Sequence, residues 1–366
     1  MAGVYISYPF CNQKCSFCNF ASGVSTAETT DDYHAALLKQ VRAQVWEWKP
    51  ETVYFGGGTP SLMPLERLSE LMGELPRGRL GEVTMEAAPG TLTPEKIAAW
   101  RECGVNRVSL GVQSFVRTEL RQTGRRHTAE TVLSDVEMLR AGGISNFNID
   151  LIAGLPDQTR ESWNESLAWV ERLGAPHVSV YIFEVDEDSR LGKEMLLGGV
   201  RYGAGVMPSD DLIAELYETA VVRLSNMGVA RYEISNFARA GFESRHNLKY
   251  WQLEPYIGFG LDAHSHVDGR RFSSSDSMAE YLSDPLSKAT NTETAPEEEH
   301  FFVGLRLDTG IEPTSEEWTR FARPIEKWTE AGMLVREAKR LRLSPAGVLV
   351  SNEIFEDFLS LELEHA

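Results

Sequence analysis

Three cysteines, Cys11, Cys15 and Cys18, are spaced C-x3-C-x2-C in one short stretch. Closed structural zinc sites use four protein ligands. Three thiolates from one loop can instead hold an iron–sulfur cubane and leave one iron open to a further ligand. A zinc loop completed by a distant histidine competes with this reading, although zinc ligands usually come as two well-separated C-x2-C pairs. Three buried, unliganded cysteines are the remaining alternative. The fourth cysteine, Cys103, falls in a helix-like stretch and reads as a core residue.

Other residues have chemistry suited to such a centre. Gly56-Gly57-Gly58-Thr59-Pro60 is a glycine-rich turn. Without Cβ atoms its backbone can approach a ligand closely, and Thr59 adds a hydroxyl. Glu86 can accept from a cationic or hydroxylated ligand, Gln113 and Asp150 suit hydroxyls or an amine, and Arg125 can grip a carboxylate through two parallel bonds. Arg125 also reads as part of a surface run, Arg125-Arg126-His127. In His246-Asn247-Leu248-Lys249-Tyr250-Trp251 a neutral imidazole is available as a haem ligand, and Tyr250 and Trp251 offer flat apolar area to a porphyrin. The plain alternative is a loop histidine with both aromatics in the core. His264 and His266 have the chemistry to bind a metal, but with one residue between them and no carboxylate partner in view they read as structural or pocket-lining.

The elements that must position these groups alternate regularly. Residues 4–7, 52–55, 83–86, 107–112, 146–151 and 178–183 are short apolar runs expected to be strands. Between them, residues 33–48, 65–75, 94–103, 129–141 and 161–173 carry helical periodicity. Asp31 or Asp32 and Thr93-Pro94 are helix-start signals, and Gly142-Gly143 and Gly174 are stops. Such repeats predict parallel strands joined by right-handed crossovers, with near-continuous apolar strands under helices. The expected architecture is α/β: a partial (β/α)6 TIM-like barrel with helices outside. The cysteine loop, residues 56–59, Glu86, Gln113, Asp150 and Glu184 then follow successive strands, at the rim where barrels carry their sites.

Beyond the barrel, residues 190–210 are glycine-rich and read as a lid or, more simply, an exposed linker; 211–227 reads as a helix. Ser273, Ser274, Ser275 and Asp276 suggest a surface loop, and Glu297, Glu298 and Glu299 a solvated helix start. Leu341-Arg342-Leu343, then Ser344-Pro345 and an apolar-periodic run over 348–358, suggest a strand and capped helix of a small α+β, winged-helix-like end. The expected division is 1–205 for the barrel, 206–290 for an extension carrying the histidine motif, and 291–366 for the C-terminal domain.

With 42% hydrophobic and 25% charged residues the chain reads as an ordinary globular protein. A net charge of −18 repels polyanions and weighs against nucleic acid as the main partner. Four cysteines, three of them clustered, make no disulfide framework and point to a reduced cytoplasmic compartment. Neither a signal-peptide pattern nor an apolar run near the roughly 18 residues of a membrane span is expected.

Taken together, the cysteine spacing and the glycine turn resemble the radical S-adenosylmethionine (SAM) superfamily. The resemblance implies that the open iron of a [4Fe-4S] cluster on Cys11, Cys15 and Cys18 chelates the methionine part of SAM. One electron then cleaves an S–C bond to give a 5′-deoxyadenosyl radical. Phe17, just before the third cysteine, would sit near the adenine. Gly111-Val112-Gln113-Ser114-Phe115, Gly124-Arg125 and Asp150-Leu151-Ile152-Ala153-Gly154-Leu155-Pro156 look like the coproporphyrinogen-dehydrogenase branch. In that branch the positions matching Gly57, Gly58, Thr59, Glu86, Gln113, Arg125 and Asp150 contact SAM, and Tyr5 matches a tyrosine near the cluster.

Two groups share the branch. Dehydrogenases carry a further cysteine where this chain has Phe20, and a long segment before the cluster where only ten residues precede Cys11. The H-N-x-x-Y-W motif at residues 246–251, with Tyr232-Glu233-Ile234-Ser235-Asn236-Phe237, Gly258-Phe259-Gly260 and Ala263-His264-Ser265, looks like the haem chaperone group. That resemblance implies haem binding at His246, Tyr250 and Trp251. It also implies delivery to client apo-haemoproteins such as respiratory enzymes at the inner face of the membrane, and a homodimer. The enzyme alternative is oxygen-independent coproporphyrinogen III dehydrogenation. Ser7 replaces the usual histidine before the loop, Asn19 the usual aspartate, and Ala88 a common asparagine. No cluster ligand is lost by these departures.

Overall fold

The computed structural model describes residues 2–359. Six strands form its centre: β1 (Ala2–Tyr8), β2 (Pro50–Gly57), β3 (Glu82–Ala87), β4 (Arg107–Gln113), β5 (Asn146–Ala153) and β6 (His177–Ile182). Each pairs in parallel with the next. The crossovers are α1 (Ala27–Ala43), α2 (Leu65–Glu74), α3 (Pro94–Glu102), α4 (Arg117–Gln122), α5 (Ala129–Ala141) and α6 (Arg160–Leu173). This is the expected partial (β/α)6 barrel.

Residue chemistry explains the local choices. Val53, Phe55, Val83, Met85, Val108, Leu110, Phe147 and Ile149 alternate along the strands and pack into one core with helix residues such as Leu37, Leu71, Ile97, Val136 and Trp163. Intervening positions carry Thr52, Tyr54, Thr84, Glu86, Arg107, Ser109, Asn148, Asp150 and Ser179. The strands are therefore not continuously apolar as expected: their second face is a polar lining, tied by bonds such as Asn148 Nδ2 to Ser109 Oγ (2.7 Å) and Ser179 Oγ (3.0 Å). Thr93 caps α3 ahead of Pro94, and Gly174 ends α6 in the left-handed region at φ 58°.

Both edges are extended. α7 (Arg190–Leu196) and α8 (Asp210–Asn226) precede β7 (Ala230–Arg231) and β8 (Asn236–Ala238), which add antiparallel strands beside β6. α9 (Arg245–Trp251) carries the histidine motif. β9 (Tyr256–Phe259) then pairs in parallel with β1, so the chain returns to the first edge. β10 (His264–Val267), β11 (Arg270–Ser273) and β12 (Thr290–Glu293) continue that edge antiparallel. A two-stranded hairpin, β13 (Leu334–Glu337) and β14 (Arg340–Leu343), and short helices make the C-terminal α+β part; there Phe301, Phe321 and Phe358 pack ring against ring.

Four local expectations change. α1 starts at the Thr26 cap rather than at Asp31 or Asp32, and stops before Trp46 and Trp48, which pack edge to face. The glycine-rich stretch after residue 190 is no free linker: Leu191 is fully buried in a small cluster with Ile152, Leu155 and Phe183, and its N–H donates to Ser16 O at 2.9 Å. Glu298 and Glu299 are buried, and Glu299 takes a forked bond from Arg271 (2.6 and 3.1 Å). Ser273 and Ser274 are buried at the end of β11.

Candidate cluster and cofactor site

The cysteine loop leaves the C-terminal end of β1 and is tied to its neighbours by backbone. Cys11 N donates to Gly23 O (2.9 Å), Ser16 N to Thr123 O (3.2 Å), and the Gln13 side chain to Gly124 O (2.7 Å). Arg190 reaches the carbonyls of Lys14 and Cys15. All three thiols are half-buried and line one cavity of about 660 Å³. Burial pushes the Cys11 thiol up, a side-chain hydrogen bond with Thr59 opposes this, and the neighbouring Cys18 adds to it. Among the described residues no three His, Cys, Asp or Glu groups are already placed to hold a metal ion.

The glycine turn has a packing role beyond the one expected of it. A Cβ on Gly58 would stand 2.7 Å from the Pro9 carbonyl carbon and 2.9 Å from Phe10 N, and one on Gly56 2.8 Å from the Tyr5 ring. Gly58 N and Thr59 N donate to Tyr8 O (2.8 Å) and Phe10 O (2.9 Å), which locks the turn to the root of the cysteine loop. Gly57, at φ 107°, needs the freedom of glycine and lends its backbone to Glu86.

The same cavity collects Phe17, Gly57, Gly58, Thr59, Glu86, Gln113, Arg125 and Asp150. Glu86 accepts from the Tyr54 hydroxyl at 2.8 Å. Burial raises its pKa to about 7, against the Tyr54 bond and with the help of Asp150. Asp150 is also pushed up by burial, opposed by Ser179, by Asn148 (2.6 Å to Oδ1) and by Arg107. Gln113 holds φ 71°, at a register break between β4 and β5. A non-glycine residue in that region marks a position whose side chain must be aimed. Arg125 Nη1 donates to Gly111 O at 2.8 Å, while its Nε is buried without a partner and no ion pair engages it among the described residues. Phe17 packs edge to face on Phe183, 6.0 Å between centroids.

These observations fit a sulfur-bound cluster with an amino-acid-bearing ligand. The thiols supply soft donors, the unpartnered Arg125 Nε could take an anion, and Glu86 and Asp150 are carboxyls that could accept from an amine or hydroxyls beside their present bonds. His127 and Tyr181 also line the cavity and were not picked out in the sequence. His127 Nε2 is buried without a partner; burial, then Arg125, lowers its pKa to about 4, so the ring is neutral. Its position two residues after Arg125 was the available signal. Tyr181, near the end of β6, is 43% exposed.

A second cavity of about 680 Å³ adjoins the first and shares Phe20, Ser22 and Gly57 with it. Its walls include Tyr250, Trp251, Tyr256, Leu261, Phe302 and Val303. Tyr5 lines this cavity, its ring stacked 6.0 Å from Tyr54. His246 differs from the expectation. It is fully buried, Nδ1 is 2.8 Å from Thr52 Oγ1, and Nε2 is 2.7 Å from the Tyr250 hydroxyl. Burial, then Lys249 and Arg107, lowers its pKa to about 3. With both nitrogens engaged it positions Tyr250 and presents no open ligand atom, whereas Tyr250 and Trp251 do face the cavity.

An open parallel barrel with a three-thiol loop over its rim is the architecture of a radical SAM protein, and the sequence profile of the Radical SAM superfamily matches residues 5–170. The fold resembles the solved Escherichia coli coproporphyrinogen III oxidase HemN, a radical SAM enzyme, with TM-score 0.81 at 19% identity over 98% of this chain and 89% of that one. Within the superfamily the chain belongs to the heme chaperone HemW family. It is 34% identical to heme chaperone HemW of Lactococcus lactis over 97% of this chain and 96% of that protein. It is 33% identical to heme chaperone HemW of Bacillus subtilis over 98% and 99%.

Proposed function

We propose that this protein is a radical SAM haem chaperone: it holds a [4Fe-4S] cluster and SAM at the barrel rim, binds haem, and passes it to client haemoproteins. One observation carries the reading. The thiol-lined polar cavity and an aromatic, apolar cavity open side by side on the same rim, sharing Phe20, Ser22 and Gly57. The first suits a charged amino-acid-bearing cofactor and the second a flat apolar cargo.

Each residue then has a task. Cys11, Cys15 and Cys18 would hold the cluster, which together with SAM supplies one-electron chemistry. Arg125 would grip the SAM carboxylate, and Glu86 the amine. Gln113 and Asp150 would take polar groups of the ligand, Phe17 would pack near the adenine, and Gly57, Gly58 and Thr59 would keep the wall close. Tyr250 and Trp251 would flank the porphyrin, with His246 fixing the Tyr250 hydroxyl. The division into a barrel at 1–205, an extension at 206–290 and a C-terminal unit at 291–366 belongs to the same proposal. So do a cytoplasmic location with peripheral work at the inner membrane face, and a homodimer. Among the described residues no helix is long and apolar enough to cross a membrane.

The test is anaerobic reconstitution, haem loading, and mixing with an apo-haemoprotein. Transfer of haem without formation of protoporphyrinogen from coproporphyrinogen is expected. Robust conversion of coproporphyrinogen would overturn the proposal in favour of the dehydrogenase.

A further inference from the structure

The aromatic cavity has a histidine on its lip other than the one in the H-N-x-x-Y-W motif. His264 opens β10, directly after the turn of Gly260 (φ 101°) and Asp262 (φ 56°) that reverses the chain beside the end of β1. Its side chain is 66% exposed and lines the cavity together with Asp262. Asp262 Oδ1 stands 3.7 Å from His264 Nε2. Among the described residues no hydrogen bond occupies either ring nitrogen.

The other described imidazoles are bonded, buried or placed away from this cavity. Both nitrogens of His246 and of His177 are bonded to side chains. His34 and His300 pair with Glu70 and Glu317. His127 lines the cluster cavity, and His266, with Nε2 4.0 Å from Glu299 and Nδ1 buried without a partner, is not part of the aromatic cavity's lining.

Iron bound by imidazole needs an unprotonated ring nitrogen open to the cavity and, commonly, a carboxylate or carbonyl that orients the other one. His264 and Asp262 supply that pair at the edge of a chamber of about 680 Å³, within the range of about 300–1,000 Å³ typical for organic ligands. Other parts of the lining are aromatic: Tyr250 and Tyr256 meet edge to face at 4.5 Å, and Trp251 carries Arg306 on its face at 4.5 Å.

We propose that His264 is an axial ligand of the haem iron, oriented by Asp262, with the porphyrin lying in the chamber between the β10 lip and the Tyr250–Trp251 wall. The assignment rests on the haem chaperone reading. It places the cargo next to the cluster cavity, separated by Phe20, which is 63% exposed on the shared border. His246 acts behind this wall as a positioning residue.

The experiment is titration of ferric haem into full-length wild-type protein, His264→Ala and His246→Ala, read by Soret absorption, electron paramagnetic resonance and affinity. Since His264 is exposed, its replacement should leave the melting temperature unchanged. The expected His264→Ala result is a shifted Soret band, loss of the histidine-ligated signal, and affinity lower by at least about tenfold, the lower bound for losing even a partner of a metal ligand. Free imidazole should restore the wild-type spectrum, which a merely structural role would not allow. His246→Ala should keep the histidine-ligated spectrum while binding haem less tightly. Haem bound by His264→Ala with unchanged spectrum and affinity would overturn the assignment and leave the chaperone reading standing. Loss of the histidine signal only in His246→Ala would do the same. Failure of the wild-type protein to bind haem would overturn the chaperone reading itself.

Discussion

Glu86→Gln should stabilise the cluster-free protein while weakening SAM binding. The carboxyl sits beside Tyr54 and Asp150 in the cofactor cavity, and burial lifts its pKa from 4.5 to about 7. A carboxyl whose folded-state pKa is raised contributes fully to stability below its unfolded value, and that contribution is lost as pH rises through the folded value. The window is therefore pH 4.5 to about 7. At about 1.4 kcal/mol for each pH unit between the two values, the ceiling is about 3 kcal/mol. Glutamine keeps an oxygen for the Tyr54 hydroxyl and never ionises. The variant should match wild type near pH 4.5 and exceed it by up to about 3 kcal/mol at pH 8. Urea unfolding at several pH values measures the difference directly. Calorimetric titration with SAM on reconstituted protein should show the opposite change, a loss of affinity. Parallel pH profiles for the two proteins, or unchanged SAM affinity, would refute the reasoning.

Two further substitutions probe the wall and the anion grip. Gly58→Ala drives a Cβ into the backbone of Pro9 and Phe10, which cannot rotate away. A loss of about 1–3 kcal/mol in unfolding free energy, together with poor cluster retention by iron analysis, is expected. Arg125→Ala removes the guanidinium whose Nε is buried without a partner, so SAM affinity should fall by about 1.5–3 kcal/mol. Arg125→Lys should recover little of it, because an ammonium lacks the planar fork.

The barrel was legible because its signals are local. All six central strands carry regularly spaced apolar residues, and Thr93-Pro94 and Gly174 punctuate helices where the residues themselves say so. The rim residues followed, since a strand's C-terminal end locates them. What stayed hidden depends on contacts distant in sequence. That the interleaved polar residues line a shared interior is not readable from one strand at a time; only the barrel buries Arg107 and Asn148 together. Leu191 reads as part of a glycine-rich linker until Ser16 and Phe183 meet it. His246 looks like an accessible loop ligand, yet Thr52, far earlier in the chain, takes its Nδ1. His264 is the exception: its carboxylate neighbour Asp262 is only two residues away, and the turn after Gly260 sets the pair 3.7 Å apart. The start of α1 was misplaced because Thr26 caps a turn whose first residues carry no apolar periodicity.

The most direct test of a cluster with one iron left open for SAM is electron paramagnetic resonance of the anaerobically reconstituted, reduced protein, recorded with and without SAM. A [4Fe-4S] signal that shifts on adding SAM, and that is absent from Cys15→Ala, is the predicted result. A fully ligated divalent ion in place of the cluster, or a cluster signal indifferent to SAM, would contradict the account.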